Sequence, residues 1–130
     1  MARITHRPQD QAIATIRRGG IYLVAFDPTV GHEIKKTRPA VVIQNDVSNE
    51  YSPLTIVAAI SSHFADPPHS REVTIRSGGN TGLGQPSAVI LNQIRSIERQ
   101  RLGRRMGTLD GATMSMVDDA LKISLGLVKF

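Results

Sequence analysis

The stretch from Gly31 to Ser62 sets a charged loop and two hydroxyl residues, Ser61 and Ser62, at opposite ends of two apolar runs. Arg38 precedes Pro39, which disfavours helix at the residue before it and holds Arg38 extended at the mouth of a strand. Its planar guanidinium can meet two phosphate oxygens at once and stays protonated. The hydroxyl of Ser61 can donate one hydrogen bond and accept others. Two adjacent strands would bring Arg38 and Ser61 together. That pairing suits stabilising negative charge that builds up on phosphorus. It does not suit proton transfer, because arginine does not deprotonate and serine is a poor acid and a poor base. Glu33, five residues before Arg38, is the nearest candidate base by sequence; the competing reading is a surface ion pair with Lys35, Lys36 or Arg38. His63 and His69 lie six apart with Asp66 between them, which is not the i, i+4 pair of a helical zinc site, so no metal site is expected.

The elements that must position these groups follow from pattern. Ile21 to Phe26 is a short run of strand formers and reads as the first strand. Asp27 to Thr37, with Pro28 and Gly31, reads as a loop. Ala40-Val41-Val42-Ile43 is a buried strand that leaves into Gln44-Asn45-Asp46, and Val47-Ser48-Asn49-Glu50 makes one helical turn at most. Leu54 to Ile60 is the next strand, and His63 to Arg71, with Pro67-Pro68, is an exposed loop. Arg71 to Arg76 alternates as a half-buried strand does. The glycines of Ser77 to Pro86 lack the Gly-Lys-Ser/Thr ending of a phosphate loop, so a turn between strands is the better account. Ser87 to Ile97 is a further strand, and Met106 to Leu109 a weak last one. A helix opens at about Asp110 or Gly111, with Asp110, Thr113 and Ser115 as candidate caps. Met114, Val117, Leu121, Leu125 and Val128 form its apolar stripe, widened by Met116, Ala120 and Ile123.

The chain of 130 residues is one domain's worth, and its formal charge of +5 favours a polyanionic partner, RNA or DNA first. There is no cysteine, which excludes disulfides and thiolate zinc sites. No apolar run reaches the length of a membrane span and the start carries no signal-peptide core, so a cytoplasmic protein is expected. Residues 1–16 are polar and mixed and read as an extension, with one helical turn from Asp10 as the alternative; residues 17–130 form the domain. Four arginines fall between 99 and 105. They read equally as a phosphate-tracking patch or as an edge that deters strand pairing.

Several segments in order resemble the MazF/PemK (Kid) toxins of bacterial toxin-antitoxin systems. They are Arg18-Gly19-Gly20-Ile21-Tyr22, Asp27 to Glu33, Lys36-Thr37-Arg38-Pro39, Val41 to Asp46, Ile56 to Ser61, Gln93 to Ile97, Arg101-Leu102 and Ala120-Leu121. The resemblance runs from about Arg17 to Phe130. It implies a mainly β (α+β) fold: a small SH3-like barrel of six or seven strands with short inserted helices and a C-terminal helix. It also implies a homodimer that binds single-stranded RNA in a groove across the two copies.

The activity it implies is sequence-specific, metal-independent cutting of mRNA, with no cofactor, to 2′,3′-cyclic phosphate and 5′-hydroxyl ends. Arg38 and Ser61 would be the catalytic pair, with Ser61 where many relatives carry threonine, a change that keeps the hydroxyl and loses the methyl that stiffens the rotamer. RNA contacts are expected from His32, Lys35, Lys36 and Thr37 in the first loop, and from Ser62, His63 and Phe64 after the third strand. Gln93 and Arg95 would add polar groups able to pair with base edges. A small MazE-like antitoxin with an acidic C-terminal tail is the implied partner, and no membrane is involved. Two other classes stay open. One is a CcdB-like poison of DNA gyrase, since fold does not fix function; the other is a non-catalytic RNA-binding barrel.

Overall fold

The computed structural model describes residues 16–26 and 37–129. Six strands, β1 (Gly20–Ala25), β2 (Thr37–Val42), β3 (Leu54–Ser61), β4 (Glu72–Ile75), β5 (Ser87–Glu98) and β6 (Leu102–Thr108), form one sheet in the order β4-β5-β3-β2-β1-β6. All of its pairings are antiparallel. Among the described residues two α-helices accompany it, α1 (Asp46–Tyr51) between β2 and β3 and α2 (Gly111–Ser124) after β6. Among the described residues no helix is long and apolar enough to cross a membrane.

Adjacent residues of β1, β2 and β3 serve two different cores, as the pleat requires. Ile21, Val41 and Ala58 belong to a larger cluster that Val117 and Ala120 of α2 cover. Tyr22, Val24, Ala40, Val42 and Val57 face the other way and join Ile97, Leu102 and Ile16 in a second cluster. Ile16, the last residue of the stretch read as an extension, is fully buried there. The three central strands are therefore buried on both faces, which is why their sequences run apolar without clean alternation.

The sheet bends where β5 changes partner register. Ala58 and Ala59 are consecutive on β3, yet they face Ile94 and Ile90, so β5 carries a bulge between them that sharpens its twist. A 3-10 turn at Gly79–Thr81 follows β4 and lies against β6, at the opposite edge of the sheet. The approach is backbone to backbone: a Cβ on Gly82 would meet the Met106 carbonyl, and one on Gly107 would meet the Asn80 carbonyl. Only glycine fits at this seam, which draws the two edges of the sheet toward a barrel.

Asp110 caps α2 by accepting the Thr113 N–H at 2.7 Å, and that bond holds its carboxyl below the ordinary aspartate range. The apolar stripe is narrower than the sequence suggests. The helix ends at Ser124, whose hydroxyl donates to the Leu91 carbonyl at 2.7 Å. Leu125 and Val128 lie beyond it and are exposed, as is Met116. The single turn expected near Val47 is a six-residue helix, and buried Asn49 explains it. The Asn49 amide donates to the Gln44 carbonyl (2.9 Å) and Asp46 Oδ1 (3.2 Å), while Oδ1 accepts from Gln44 Nε2 (3.0 Å) and Thr55 Oγ1 (2.8 Å). Arg18 extends this network: its N–H donates to Asp46, its Nε to the Ile43 carbonyl, and its terminal nitrogen pairs with Asp118 on α2.

Candidate active site

The register of β2 against β3 decides where Arg38 lies. Ala40 pairs with Ala59, Val41 with Ala58 and Val42 with Val57. Continuing that register by two residues sets Arg38 opposite Ser61, where facing Cβ atoms are roughly 4.5–5.5 Å apart. Both line one open groove of about 630 Å³ at the ends of the strands, with Pro39, Ile60, Ser62 and His63. Arg38 is exposed, and its guanidinium has no hydrogen bond or ion pair among the described residues. An uncommitted guanidinium beside a hydroxyl, on a groove floored by apolar side chains, is a ready receptor for a phosphodiester.

Ser61 is not loose. Its Oγ accepts the His63 N–H at 3.0 Å and donates to the His63 carbonyl at 3.1 Å. This tight turn fixes the side-chain rotamer through the backbone, in place of the threonine methyl that the chain lacks. One lone pair of Oγ remains, and its proton is held by the longer of the two bonds, the one to the carbonyl.

The other candidates divide. Ser62 and His63 line the groove and are exposed. Thr37 is exposed at the start of β2, across from Ala25, outside the lining. Phe64 is half-buried and also outside it. Gln93 is exposed in the β5 bulge. Arg95 faces Val57 and stacks its guanidinium over the Phe26 ring at 5.5 Å, roughly 13 Å along β3 from Ser61. The groove thus gathers Arg38, Ser61, Ser62 and His63 and leaves Gln93, Arg95, Phe64 and Thr37 at its surroundings. His32, Glu33, Lys35 and Lys36 lie outside the described residues. Among the described residues no group of three His, Cys, Asp or Glu side chains converges to hold a metal ion.

Sequence reasoning missed the opposite wall, which is built by Leu83, Gly84, Gln85, Ser87 and Met106. Leu83 and Met106 meet there through the glycine seam, a contact between segments more than twenty residues apart. The signal was present in Gly82 and Gly107, although nothing local says what they approach. Near the second cluster, burial raises the Tyr22 phenol above its ordinary range, partly offset by Arg105, Arg17 and Arg99.

Residues 17–125 match the family model described as PemK-like, MazF-like toxin of type II toxin-antitoxin system. The chain belongs to that family. It is 40% identical over 115 residues to the endoribonuclease EndoA of Bacillus subtilis, a match covering 88% of this chain and 98% of that protein. It is 41% identical over 115 residues to the endoribonuclease MazF of Staphylococcus epidermidis, covering 88% and 95%. Among solved structures it is similar to an endoribonuclease in complex with its cognate antitoxin from Mycobacterial species. That match has a TM-score of 0.71 at 20% identity and covers 89% of this chain and 100% of that one. The last likeness concerns the fold, and the six-stranded sheet with its C-terminal helix is that of the MazF-like toxins.

Proposed function

We propose that this chain is a sequence-specific, metal-independent endoribonuclease toxin that cuts single-stranded RNA in the cytoplasm as a homodimer. The observation that carries the reading is the meeting of Arg38 with Ser61 on one groove, in a chain whose relatives at about 40% identity are named endoribonucleases.

The 2′-hydroxyl of the RNA attacks the adjacent phosphorus. As the O2′–P bond forms and the P–O5′ bond breaks, the 2′ proton leaves to a base and the 5′ oxygen takes up a proton. The products are a 2′,3′-cyclic phosphate and a 5′-hydroxyl. Arg38 holds the charge of the phosphorane through its fork, a stabilisation worth more in the reaction's transition state than in the bound substrate. The Ser61 hydroxyl turns its proton from the His63 carbonyl to a phosphate oxygen, while the His63 N–H keeps Oγ in position. Glu33, upstream of Arg38, is the candidate base. His32, Lys35, Lys36, Thr37, Ser62 and His63 would guide the strand, with Gln93, Arg95 and Phe64 contacting bases farther out. A structural relative is described with its cognate antitoxin; the basic character of this chain suits a MazE-like partner whose acidic C-terminal tail takes the place of RNA.

The test is cleavage of a long single-stranded RNA in EDTA by the wild type, Arg38→Ala and Ser61→Ala, with the ends mapped. Site-specific cutting by the wild type that both substitutions abolish supports the reading and yields the motif. Intact RNA with a folded wild-type dimer overturns it in favour of a gyrase-type poison or a binding module.

A further inference from the structure

Cutting RNA through its own 2′-hydroxyl moves two protons. Glu33 is the candidate for the first, the proton that leaves O2′; the second, which must reach the departing 5′ oxygen, still lacks a donor. Arginine does not give up its proton, and a serine hydroxyl is a poor acid. A positioned acid at such a leaving oxygen contributes roughly 10²–10⁴-fold, and imidazole is the side chain most often used for it.

Of His63 and His69, the histidines among the described residues, only His63 lines the groove with Arg38 and Ser61. His69 lies in the exposed segment before β4, where its backbone N–H donates to Glu72 Oε1 at 2.9 Å. The Ser61 turn fixes where the His63 side chain starts. The His63 nitrogen is 3.0 Å from Ser61 Oγ, and one N–Cα bond farther puts the His63 Cα at most about 4.5 Å from that oxygen. An imidazole on this Cα reaches a second oxygen of the phosphate that Oγ touches. The turn uses only the backbone N–H and carbonyl of His63. The exposed ring itself has no hydrogen bond or ion pair among the described residues. Arg38 is the one other charged or titratable side chain among the described residues of the lining, and the opposite wall from Leu83 to Ser87 and at Met106 adds none. No carboxylate there competes for the imidazole proton.

We propose that His63 is the general acid of the reaction, a catalytic residue whose ring N–H protonates the leaving 5′ oxygen. The proposal rests on the endoribonuclease reading. As the P–O5′ bond breaks, its electron pair passes to O5′, and that oxygen takes the proton of the imidazolium. The ring is left neutral and is reprotonated from water. Arg38 and Ser61 hold the non-bridging phosphate oxygens through the same step.

The experiment is single-turnover cleavage, at saturating enzyme, of the RNA motif mapped with the wild type. The strand is made in two forms, one ordinary and one with sulfur in place of the 5′ bridging oxygen at the cut. A thiolate departs without a proton, so the sulfur strand needs no acid. His63→Ala is expected to cut the ordinary strand roughly 10²–10⁴-fold more slowly than the wild type, and the sulfur strand within a few-fold of it. His69→Ala should cut both strands as the wild type does. An equal loss on both strands from His63→Ala marks a residue that only places the RNA and overturns the acid, as does unchanged cutting of the ordinary strand. His63→Gln provides the same comparison should the alanine variant fold poorly, and both variants keep the backbone groups that hold Ser61. A wild type that cuts no RNA overturns the endoribonuclease reading instead, so the two failures are distinguishable.

Discussion

Replacing Asn49 by alanine tests whether the inserted helix is held by its hydrogen bonds or by its few apolar contacts. Asn49 is fully buried, and its amide uses both donors and both acceptor positions. In Asn49→Ala, Gln44 Nε2 keeps the Leu54 carbonyl and Asp46 keeps the Arg18 N–H. Two groups lose what Asn49 supplied: the hydroxyl of Thr55, itself fully buried, and the Gln44 carbonyl. At about 1–3 kcal/mol for each buried group left unsatisfied, the loss is about 3 kcal/mol, a large part of the roughly 5–15 kcal/mol that holds a domain together. For a chain of this length that corresponds to a melting temperature lower by roughly 10 °C. The assay is urea unfolding at one fixed protein concentration, with the same series in a Thr55→Val background. Because valine removes the stranded hydroxyl, Thr55→Val should cost clearly less in Asn49→Ala than in the wild type. A loss under about 1 kcal/mol for Asn49→Ala, or an equal cost of Thr55→Val in both backgrounds, refutes the network account.

Ser61→Thr should retain cutting within a few-fold of the wild type in a single-turnover assay, because the His63 backbone already fixes the oxygen that a threonine methyl would stiffen. A gain of orders of magnitude would show that the serine rotamer is not held. Gly107→Ala should lower stability by about 2 kcal/mol or more in thermal unfolding, since its Cβ would meet the Asn80 carbonyl, which is backbone and cannot swing away. The Tyr22 phenol is raised by burial, so the folded state keeps a proton that the unfolded chain releases above about pH 10. Stability contributed by the buried neutral phenol is present below that pH and declines as pH climbs through the raised value. In alkaline unfolding, the gap between wild type and Tyr22→Phe should close or reverse with rising pH, and a constant gap would contradict the shift.

Local chemistry made much of this fold legible. Pro39 beside Arg38, the apolar runs of β2 and β3, and the turn-forming Asn45 and Pro53 set strand ends to within a few residues, and β4 and β5 are found where alternation points. The helix start is also legible, with Asp110 the cap among three candidates. What resisted reading depends on distant partners. The sequence points to a last strand from Met106, whereas β6 begins at Leu102, because its arginines and glycines show no strand propensity and its pairing with β1 alone makes it a strand. The length of α1 depends on Asn49 meeting Thr55, and the stripe of α2 stops short of its sequence pattern because Leu125 and Val128 keep helical spacing past the end of the helix. In the site, Arg38 and Ser61 were visible because each sits at a strand mouth. Gln85 and Met106 were not, since only the closing of the sheet brings them to the same groove.

Between the pairs Tyr22–Arg105 and Val24–Leu102, β6 carries one residue more than β1, so Leu102 and Arg105 share a face although they are three residues apart. Removing Gly103 would straighten the strand and leave Arg104 opposite Leu23 and Arg105 opposite Tyr22, on the faces they hold now. Two proteins of this fold that differ by one residue at this bulge would therefore present the flanking side chains on the same faces. A change of length at this point of the last strand is taken up by the bulge and leaves the pairing on either side in place.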